Sequence, residues 1–198
     1  NKTSEQYYQF LLDTFKNIYD FSKKEMSIYL CHATKTQWEN WAAFKDTGFH
    51  FSQTIIWLKE RFILGLGQDW HRIYEPILFG WKEDEKHYKN KQITTLSEFW
   101  NLEKIDFEEE LDLWYLNRDK MKEYEHPTQK PVRLPERAIK KNTQINGVLF
   151  EPFNGSGSTM MACEQLQRKC YAIELDPIYV DVAIKRWELT TGKQAIKL

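Results

Sequence analysis

Apolar residues recur along the chain at the spacing of helices and strands. Residues 4–24 carry apolar side chains such as Leu11, Phe15 and Ile18 at helical spacing, with Ser4 as the candidate N-cap. Further helices are predicted over 37–46, ended by Gly48, and over 134–142, 158–167 and 177–190, with strands over 27–33, 50–58, 73–81, 147–151 and 169–174. This alternation predicts an α/β fold with a mostly parallel, twisted sheet and helices on both faces.

Length and composition favour one compact domain. The chain has 198 residues, and 41% of them are hydrophobic, which suffices for a core. No apolar run is long enough for a membrane span, and no signal-peptide pattern opens the chain. The three cysteines lack metal-ligand spacing, so Cys163 and Cys170 are interpreted as small apolar residues in a reducing cytoplasm. No metal site is predicted.

A glycine turn follows the apolar run Val148 to Phe150 and precedes a helical pattern. Gly155 and Gly157 in this turn let the backbone approach a ligand, and the helix start offers free N–H groups. After the next predicted strand, Glu174 is placed to accept hydrogen bonds from a ribose. Together these features predict a site for a nucleoside cofactor.

The turn by itself is not specific. Gly-x-Gly between strand and helix also occurs in α/β proteins that bind no nucleotide. Met160 stands where the dinucleotide fingerprint has its third glycine, which disfavours a nicotinamide-dependent oxidoreductase. No Gly-Lys-Ser/Thr follows, so the turn is not a phosphate loop.

Three linked motifs narrow the choice. His-Pro-Thr-Gln-Lys-Pro at 126–131, Glu-Pro-Phe-Asn-Gly-Ser-Gly-Ser-Thr at 151–159 and Glu-Leu-Asp-Pro-Ile-Tyr at 174–179 occur in this order. With Trp-Leu-Lys at 57–59 and Tyr-Glu-Pro-Ile-Leu-Phe-Gly-Trp at 74–81, the chain resembles the amino-methylating DNA methyltransferases of the permuted β class. The resemblance covers nearly the whole chain and implies a Rossmann-like methyltransferase fold. Glu151 replaces the aspartate usual in the family, and Ser158 stands ahead of Thr159.

The resemblance implies that S-adenosylmethionine is the cofactor and assigns residues to it. Glu174 is expected to hold the ribose hydroxyls, and Asp176 and Pro177 to lie by the adenine edge. Lys130 is expected to pair with the methionine carboxylate. The other implied cofactor-binding residues are His126, Thr128, Glu151, Phe153, Asn154, Gly155, Ser156 and Gly157. Gly157→Val is expected to fill the approach to the cofactor while leaving a folded domain.

The catalytic tetrapeptide of the family, which contains two adjacent prolines, is missing. The six prolines stand at 76, 127, 131, 135, 152 and 177. In the permuted order the tetrapeptide is expected upstream of Asn1, so the domain over 1–198 is interpreted as truncated at its N-terminal side, with 126–198 as its cofactor-binding half. A non-catalytic remnant that binds DNA or a partner is the alternative.

The segment 82–125 breaks the strand and helix rhythm and stands where the family keeps an irregular target-recognition insert. The implied partner is double-stranded DNA, with a flipped base whose exocyclic amine is methylated. Adenine N6 is favoured over cytosine N4 because adenine is the commoner target in the family. The net charge of −1 argues weakly against DNA, but basic residues cluster locally at Lys82, Lys86, Lys89, Lys91, Arg133, Arg137, Lys140 and Lys141.

A homodimer is a further hypothesis. Trp38, Trp41 and Phe44 on the second predicted helix form a candidate apolar patch, although the same residues suit a core.

Overall fold

The computed structural model describes residues 2–64, 67, 69–90, 111–117 and 129–197. It divides the chain into two compact units, Asn1–Tyr115 and Leu116–Leu198. Each unit is described in turn. His126, Thr128 and Lys91 lie outside the described residues.

In its described residues, the first unit contains two α-helices and a four-stranded sheet. The described elements along the chain are α1 (Ser4–Phe21), β1 (Ser27–Cys31), a 3₁₀ turn (Thr34–Thr36), α2 (Gln37–Thr47), β2 (Phe49–Ile63), β3 (Arg72–Lys82) and β4 (Leu113–Tyr115). The strand order in the sheet is β1-β3-β2-β4. The short β4 lies within the segment interpreted as the recognition insert.

The sheet of this unit is mixed. β4 runs parallel to β2, but β3 is antiparallel to both β1 and β2. β2 and β3 are joined by the short connection 64–71, and parallel neighbours would need a crossover of a dozen or more residues. The α/β prediction is confirmed, and the expected mostly parallel pairing is corrected for β3.

The first helix begins one residue earlier than the sequence pattern indicated. Thr3, and not Ser4, is its N-cap, because the Thr3 hydroxyl accepts the Gln6 N–H at 3.2 Å. The Gln6 side chain in turn accepts the Thr3 N–H at 3.0 Å. This reciprocal pair is a capping box, and it requires the glutamine to stand three residues after the cap.

Both helices contribute to the main core of the first unit. Leu11 and Phe15 of α1 pack with Phe44 of α2 and with Phe49 and Leu78 of the sheet. Phe44 is completely buried, so it is a core residue and not part of an exposed patch. The dimer hypothesis therefore rests on the two tryptophans of α2.

Lys82 is also buried, against the expectation that it belongs to a basic surface cluster. Its ammonium donates to the Ser22 carbonyl at 2.7 Å and lies 4.7 Å from the ring centre of Tyr19. Its charge therefore stabilises the end of α1 and β3 instead of facing a phosphate. Lys86 and Lys89 are exposed and remain available for that role.

Buried polar groups gather near the end of β1. Lys59 is 1% exposed and forms an ion pair with Glu75. His32, which follows β1, is 6% exposed, and its Nδ1 lies 3.1 Å from the Ala33 carbonyl. Its Nε2 is buried and has no hydrogen-bond partner in the described part of the chain. Burial lowers the pKa of His32, partly offset by the Ala33 carbonyl and Glu75.

This histidine makes a pH dependence predictable. Because the pKa of His32 is lower in the folded chain, the unfolded chain binds its proton first as pH falls. The contribution to stability is therefore complete above the ordinary histidine value of about 6.5 and is lost as pH falls toward the folded value. We expect His32→Asn to flatten the fall in urea midpoint below pH 6.5. An unchanged slope in the variant would contradict this. Some slope will persist, since burial also lowers the pKa of His87.

The second unit is a smaller α/β arrangement. Its described elements are α3 (Arg133–Asn142), β5 (Val148–Glu151), α4 (Ser158–Gln165), β6 (Lys169–Ala172) and α5 (Pro177–Thr191). β5 and β6 are parallel, with Phe150 opposite Tyr171. Leu149 and Cys170 pack with Ile139, Ala162 and Cys163 of the helices.

The two cysteines of this unit take the place that the sequence predicted. Cys163 is 1% exposed within this cluster, and Cys170 is half-buried beside it. The hydrogen bond to Cys170 and burial raise the pKa of the Cys163 thiol. Among the helices that the structure describes, none is long and apolar enough to cross a membrane.

Candidate functional site

The glycine turn, residues 154–157, connects β5 to α4. Its N–H at Gly157 donates to the Asn154 carbonyl at 2.9 Å and closes the turn. Gly155 and Gly157 have φ values of 50° and 83°, in the left-handed region that side chains disfavour. Gly157 is the N-cap of α4, so the helix begins directly from the turn. The predicted strand, turn and helix are confirmed here.

Glu151 holds together the two segments that flank the glycine turn. One carboxylate oxygen accepts the Phe153 N–H at 3.0 Å, and the other accepts the Thr159 hydroxyl at 2.8 Å. The Glu151 side chain thus ties the end of β5 to the first turn of α4. The aspartate usual in the family is one methylene shorter, and Thr159 supplies a donor that glutamate can reach.

The acidic loop, residues 173–176, holds the turn from the side of β6. Glu174 accepts the Gly155 N–H at 2.7 Å and the Asp176 N–H at 3.0 Å. The Ile173 carbonyl accepts the Asn154 N–H at 2.9 Å. These bonds join two loops that are about twenty residues apart in sequence, and they fix the Glu174 carboxylate at their junction.

Asp176 and Pro177 start α5. The Asp176 side chain accepts the Ile178 N–H at 2.9 Å as N-cap, and Pro177 occupies the first turn, where its missing N–H costs nothing. The structure therefore gives both residues a role in positioning the helix. Their expected place beside an adenine ring stays a prediction.

Lys130 is brought to the start of α4. Its carbonyl accepts the Ser158 hydroxyl at 2.6 Å, and the residue is half-buried. Its neighbour Gln129 is 7% exposed. Residues 129–131, the described part of the His-Pro-Thr-Gln-Lys-Pro stretch, therefore contact the start of α4, directly after the glycine turn. His126 and Thr128 of the same stretch fall in the part outside the described residues.

The surroundings of the two loops suit a ligand that is part polar and part apolar. The Asn154 Oδ1 atom is buried and has no hydrogen-bond partner among the described residues, so it can accept a hydrogen bond from a ligand. Large apolar side chains nearby in sequence are exposed, namely Phe153 at 52% and Leu175 at 96%.

Two contributors were not found from the sequence. Arg186 of α5 donates from Nη1 to the Ser156 carbonyl, and to the Ser156 hydroxyl at 2.9 Å. Thr159 holds Glu151 as described. The helical pattern over 177–190 did contain a clue to Arg186, because it lies three residues after the small Ala183 and therefore on the same face.

Fold and site together define a Rossmann-like α/β protein with a turn suited to a nucleoside cofactor. A family model described as "DNA methylase", N6_N4_Mtase, matches residues 1–185. The chain belongs to this DNA methylase family.

Individual methyltransferase sequences also match the chain. The chain is 32% identical over 150 residues to the Type II methyltransferase M2.LlaDCHI of Lactococcus lactis subsp. cremoris, covering 73% of this chain and 53% of the relative. It is 31% identical over 152 residues to M2.DpnII of Streptococcus pneumoniae, covering 74% and 54%. The chain thus spans about half the length of these curated relatives.

Solved structures share the fold. The M1.HpyAVI–SAM complex superposes with a TM-score of 0.72 at 22% identity, over 89% of this chain and 81% of that one. The cytosine-N4-specific PvuII DNA methyltransferase gives 0.74 at 16% identity, over 94% and 72%. These likenesses confirm the Rossmann-like fold predicted from the motifs.

Proposed function

We propose that this chain binds S-adenosylmethionine and functions as a site-specific DNA methyltransferase, which transfers the methyl group to the exocyclic amine of a flipped base. The observation that carries the proposal is the bond from the Gly155 N–H to the Glu174 carboxylate. It joins the glycine turn and the acidic loop into one site within the second unit, as a cofactor that contacts both loops requires. Family membership supports the same conclusion.

The residues present fit this cofactor. The Glu174 carboxylate is oriented by two backbone N–H groups, and its remaining lone pairs can accept hydrogen bonds from the ribose hydroxyls. Phe153 and Leu175 offer apolar surface for the adenine ring, and the buried Asn154 Oδ1 offers an acceptor. Lys130, whose carbonyl accepts the Ser158 hydroxyl at the start of α4, is the proposed partner of the methionine carboxylate. His126 and Thr128 complete the proposed set.

The chemistry asks mainly for positioning. When bound, S-adenosylmethionine supplies a methyl group already activated by its sulfonium. The chain has to hold that group in line with a weakly nucleophilic amine, which alignment alone favours strongly. The glycine turn, fixed by Glu151 and Glu174, provides a rigid seat for this alignment. In the family that the chain resembles, the acceptors for the amine hydrogens belong to a catalytic tetrapeptide with two adjacent prolines, and this sequence contains no such pair.

The DNA partner is proposed as double-stranded, with residues 82–125 as the recognition insert and 126–198 as the cofactor-binding half. Adenine N6 is proposed over cytosine N4 because adenine is the commoner target in the family. Exposed Lys86 and Lys89 supply local positive charge. Such an enzyme would work in the cytoplasm, where its DNA is.

A homodimer through α2 is proposed in addition. Trp38 is 73% exposed and stacks on Trp41 with ring centres 6.0 Å apart. Because Trp41 packs partly against the core, the exposed apolar surface is mainly the Trp38 ring, near Tyr8. We expect a dimer in sedimentation velocity at micromolar concentration, and Trp38→Glu should abolish it. A single monomeric species of the unaltered chain would contradict the proposal.

The experiment that tests the cofactor is a calorimetric titration of the chain with S-adenosylmethionine, with NADH as the control ligand. We expect heat from the sulfonium cofactor and none from NADH. Heat from NADH alone would restore the oxidoreductase alternative, and silence with both ligands would contradict the proposed cofactor site. A labelled-methyl transfer assay on duplex DNA, followed by digestion to nucleosides, tests activity separately. Label in deoxyadenosine or in deoxycytidine would distinguish the two bases, and cofactor binding without transfer would favour the non-catalytic alternative.

A further inference from the structure

Helix α5 contacts two consecutive residues of the glycine turn, Ser156 and Gly157. Arg186 of α5 donates from Nη1 to the Ser156 carbonyl and hydroxyl. Ala183, three residues earlier, lies so close to Gly157 that a Cβ atom there would stand 3.0 Å from the Ala183 Cβ. Ser156 is 3% exposed, so the contacts of Arg186 are buried with it. One face of α5 therefore covers the back of the turn.

The same helix is attached to the acidic loop. Asp176 is its N-cap, and the N–H of Asp176 is held by Glu174, which also holds the Gly155 N–H. The turn is thus connected to α5 by two routes. One runs from Gly155 through Glu174 to the start of the helix, and the other from Ser156 directly to Arg186, almost three turns further along.

We propose that Arg186 is a positioning residue for S-adenosylmethionine, acting through Ser156 and not by touching the cofactor. The inference rests on the proposed cofactor site. A guanidinium that donates to a buried carbonyl makes a charge-assisted bond, which is stronger than a bond between neutral groups. It fixes the Ser156 carbonyl toward α5, and with it the orientation of the peptide that enters Gly157.

The turn needs such a restraint because its glycines are conformationally free. Gly155 and Gly157 adopt left-handed φ values, and glycine loses more backbone entropy on ordering than other residues. Within the turn, the Gly157 N–H bond to Asn154 closes a single loop. Without Arg186, binding would have to order the Ser156 side of the turn, and that ordering lowers affinity.

The test measures the dissociation constant of S-adenosylmethionine by calorimetry, well below the melting temperature. We expect Arg186→Met, which keeps an apolar stem, to raise this constant by about tenfold or more. The variant loses both hydrogen bonds to Ser156, and one bond to a charged group is by itself worth about tenfold. Arg186→Lys should give an intermediate dissociation constant. Lysine keeps the positive charge, but its side chain is shorter by about one covalent bond and lacks the planar guanidinium. Ser156→Ala should raise the constant by only a few fold, since the carbonyl bond remains.

The double variant decides between positioning and mere stabilisation. If Arg186 acts through Ser156, adding Ser156→Ala to Arg186→Met should weaken binding no further, so the two effects are not additive. The matched control is Lys193→Gln, which removes a contact to Glu164 beyond the end of α5, far from the turn in sequence. It should leave the constant unchanged.

Two results would overturn the inference. One is wild-type affinity in Arg186→Met and Arg186→Lys while the unaltered chain binds the cofactor, which would leave the proposed function standing. The other is fully additive losses in the double variant. If Arg186→Met fails to fold, the lysine variant and Ser156→Ala carry the same test. Absence of binding by the unaltered chain would overturn both the inference and the proposed cofactor.

Discussion

Replacing Glu174 by glutamine is expected to weaken S-adenosylmethionine binding by about a hundredfold while leaving the chain folded. The carboxylate accepts the N–H groups of Gly155 and Asp176. The glutamine amide has one acceptor oxygen, so its NH₂ group would face one of these donors. A hydrogen bond to a charged group contributes roughly 1.5–3 kcal/mol, and the loss also removes the acceptor proposed for the ribose.

Calorimetry with S-adenosylmethionine measures this effect, and circular dichroism verifies the fold. Glu164→Gln is the matched control, because Glu164 lies on α4 and pairs with Lys193 instead of the turn. We expect its affinity to equal that of the unaltered chain. Unchanged affinity in Glu174→Gln would place the cofactor elsewhere.

Gly157→Val is expected to abolish cofactor binding and to lower the free energy of unfolding by about 2–4 kcal/mol. The sequence alone attributes the effect to a blocked cofactor approach in an otherwise folded domain. The structure adds another cause, because a Cβ atom at Gly157 would stand 3.0 Å from the Ala183 Cβ and 3.4 Å from its Cα. A branched side chain would therefore push α5 away from the turn, in addition to the strain at a φ of 83°.

Urea denaturation and calorimetry on the same samples test this change. Gly192→Val is the matched control, since Gly192 also has a positive φ of 68° but nothing within 4 Å of a Cβ. We expect its free energy of unfolding to fall by only about 1–2 kcal/mol, the cost of a side chain in the left-handed region. We expect its affinity for the cofactor to be unchanged. If Gly157→Val were as stable as Gly192→Val, the packing against α5 would not limit this position.

Local signals in the sequence determined most of the fold and the place of the site. Helical spacing located α1, α2 and α5, and Gly48 marked the end of α2, where it adopts a left-handed φ of 101°. The alternation of strands and helices identified the α/β class. Three motifs in order identified the family, because each motif is contiguous and its chemistry depends on neighbours a few residues away.

The direction in which the strands pair was less predictable, because it depends on the length of the connections between them. β3 is antiparallel to both of its neighbours, and the short connection from β2 requires the antiparallel pairing of β2 with β3. The three-residue β4 was not predicted, since so short a strand is stabilised by its partner β2 and not by its own pattern.

Burial of individual charged and aromatic residues was decided only by the tertiary structure. Lys82 finds the Ser22 carbonyl sixty residues away, and Phe44 disappears into the core while Trp38 of the same helix stays exposed. A charged or aromatic side chain has the same local pattern in either place. Its partner, which sets the cost of burial, lies elsewhere in the chain.

The sequence by itself determined which loops form the candidate site, and the tertiary structure decided how they are joined. Glu174 meets the Gly155 N–H across nineteen residues, and Arg186 meets Ser156 across thirty. Hydrogen bonds of this kind exist only after the strands have paired and α5 has packed, because their geometry is fixed to a few tenths of an ångström by contacts that no local pattern records.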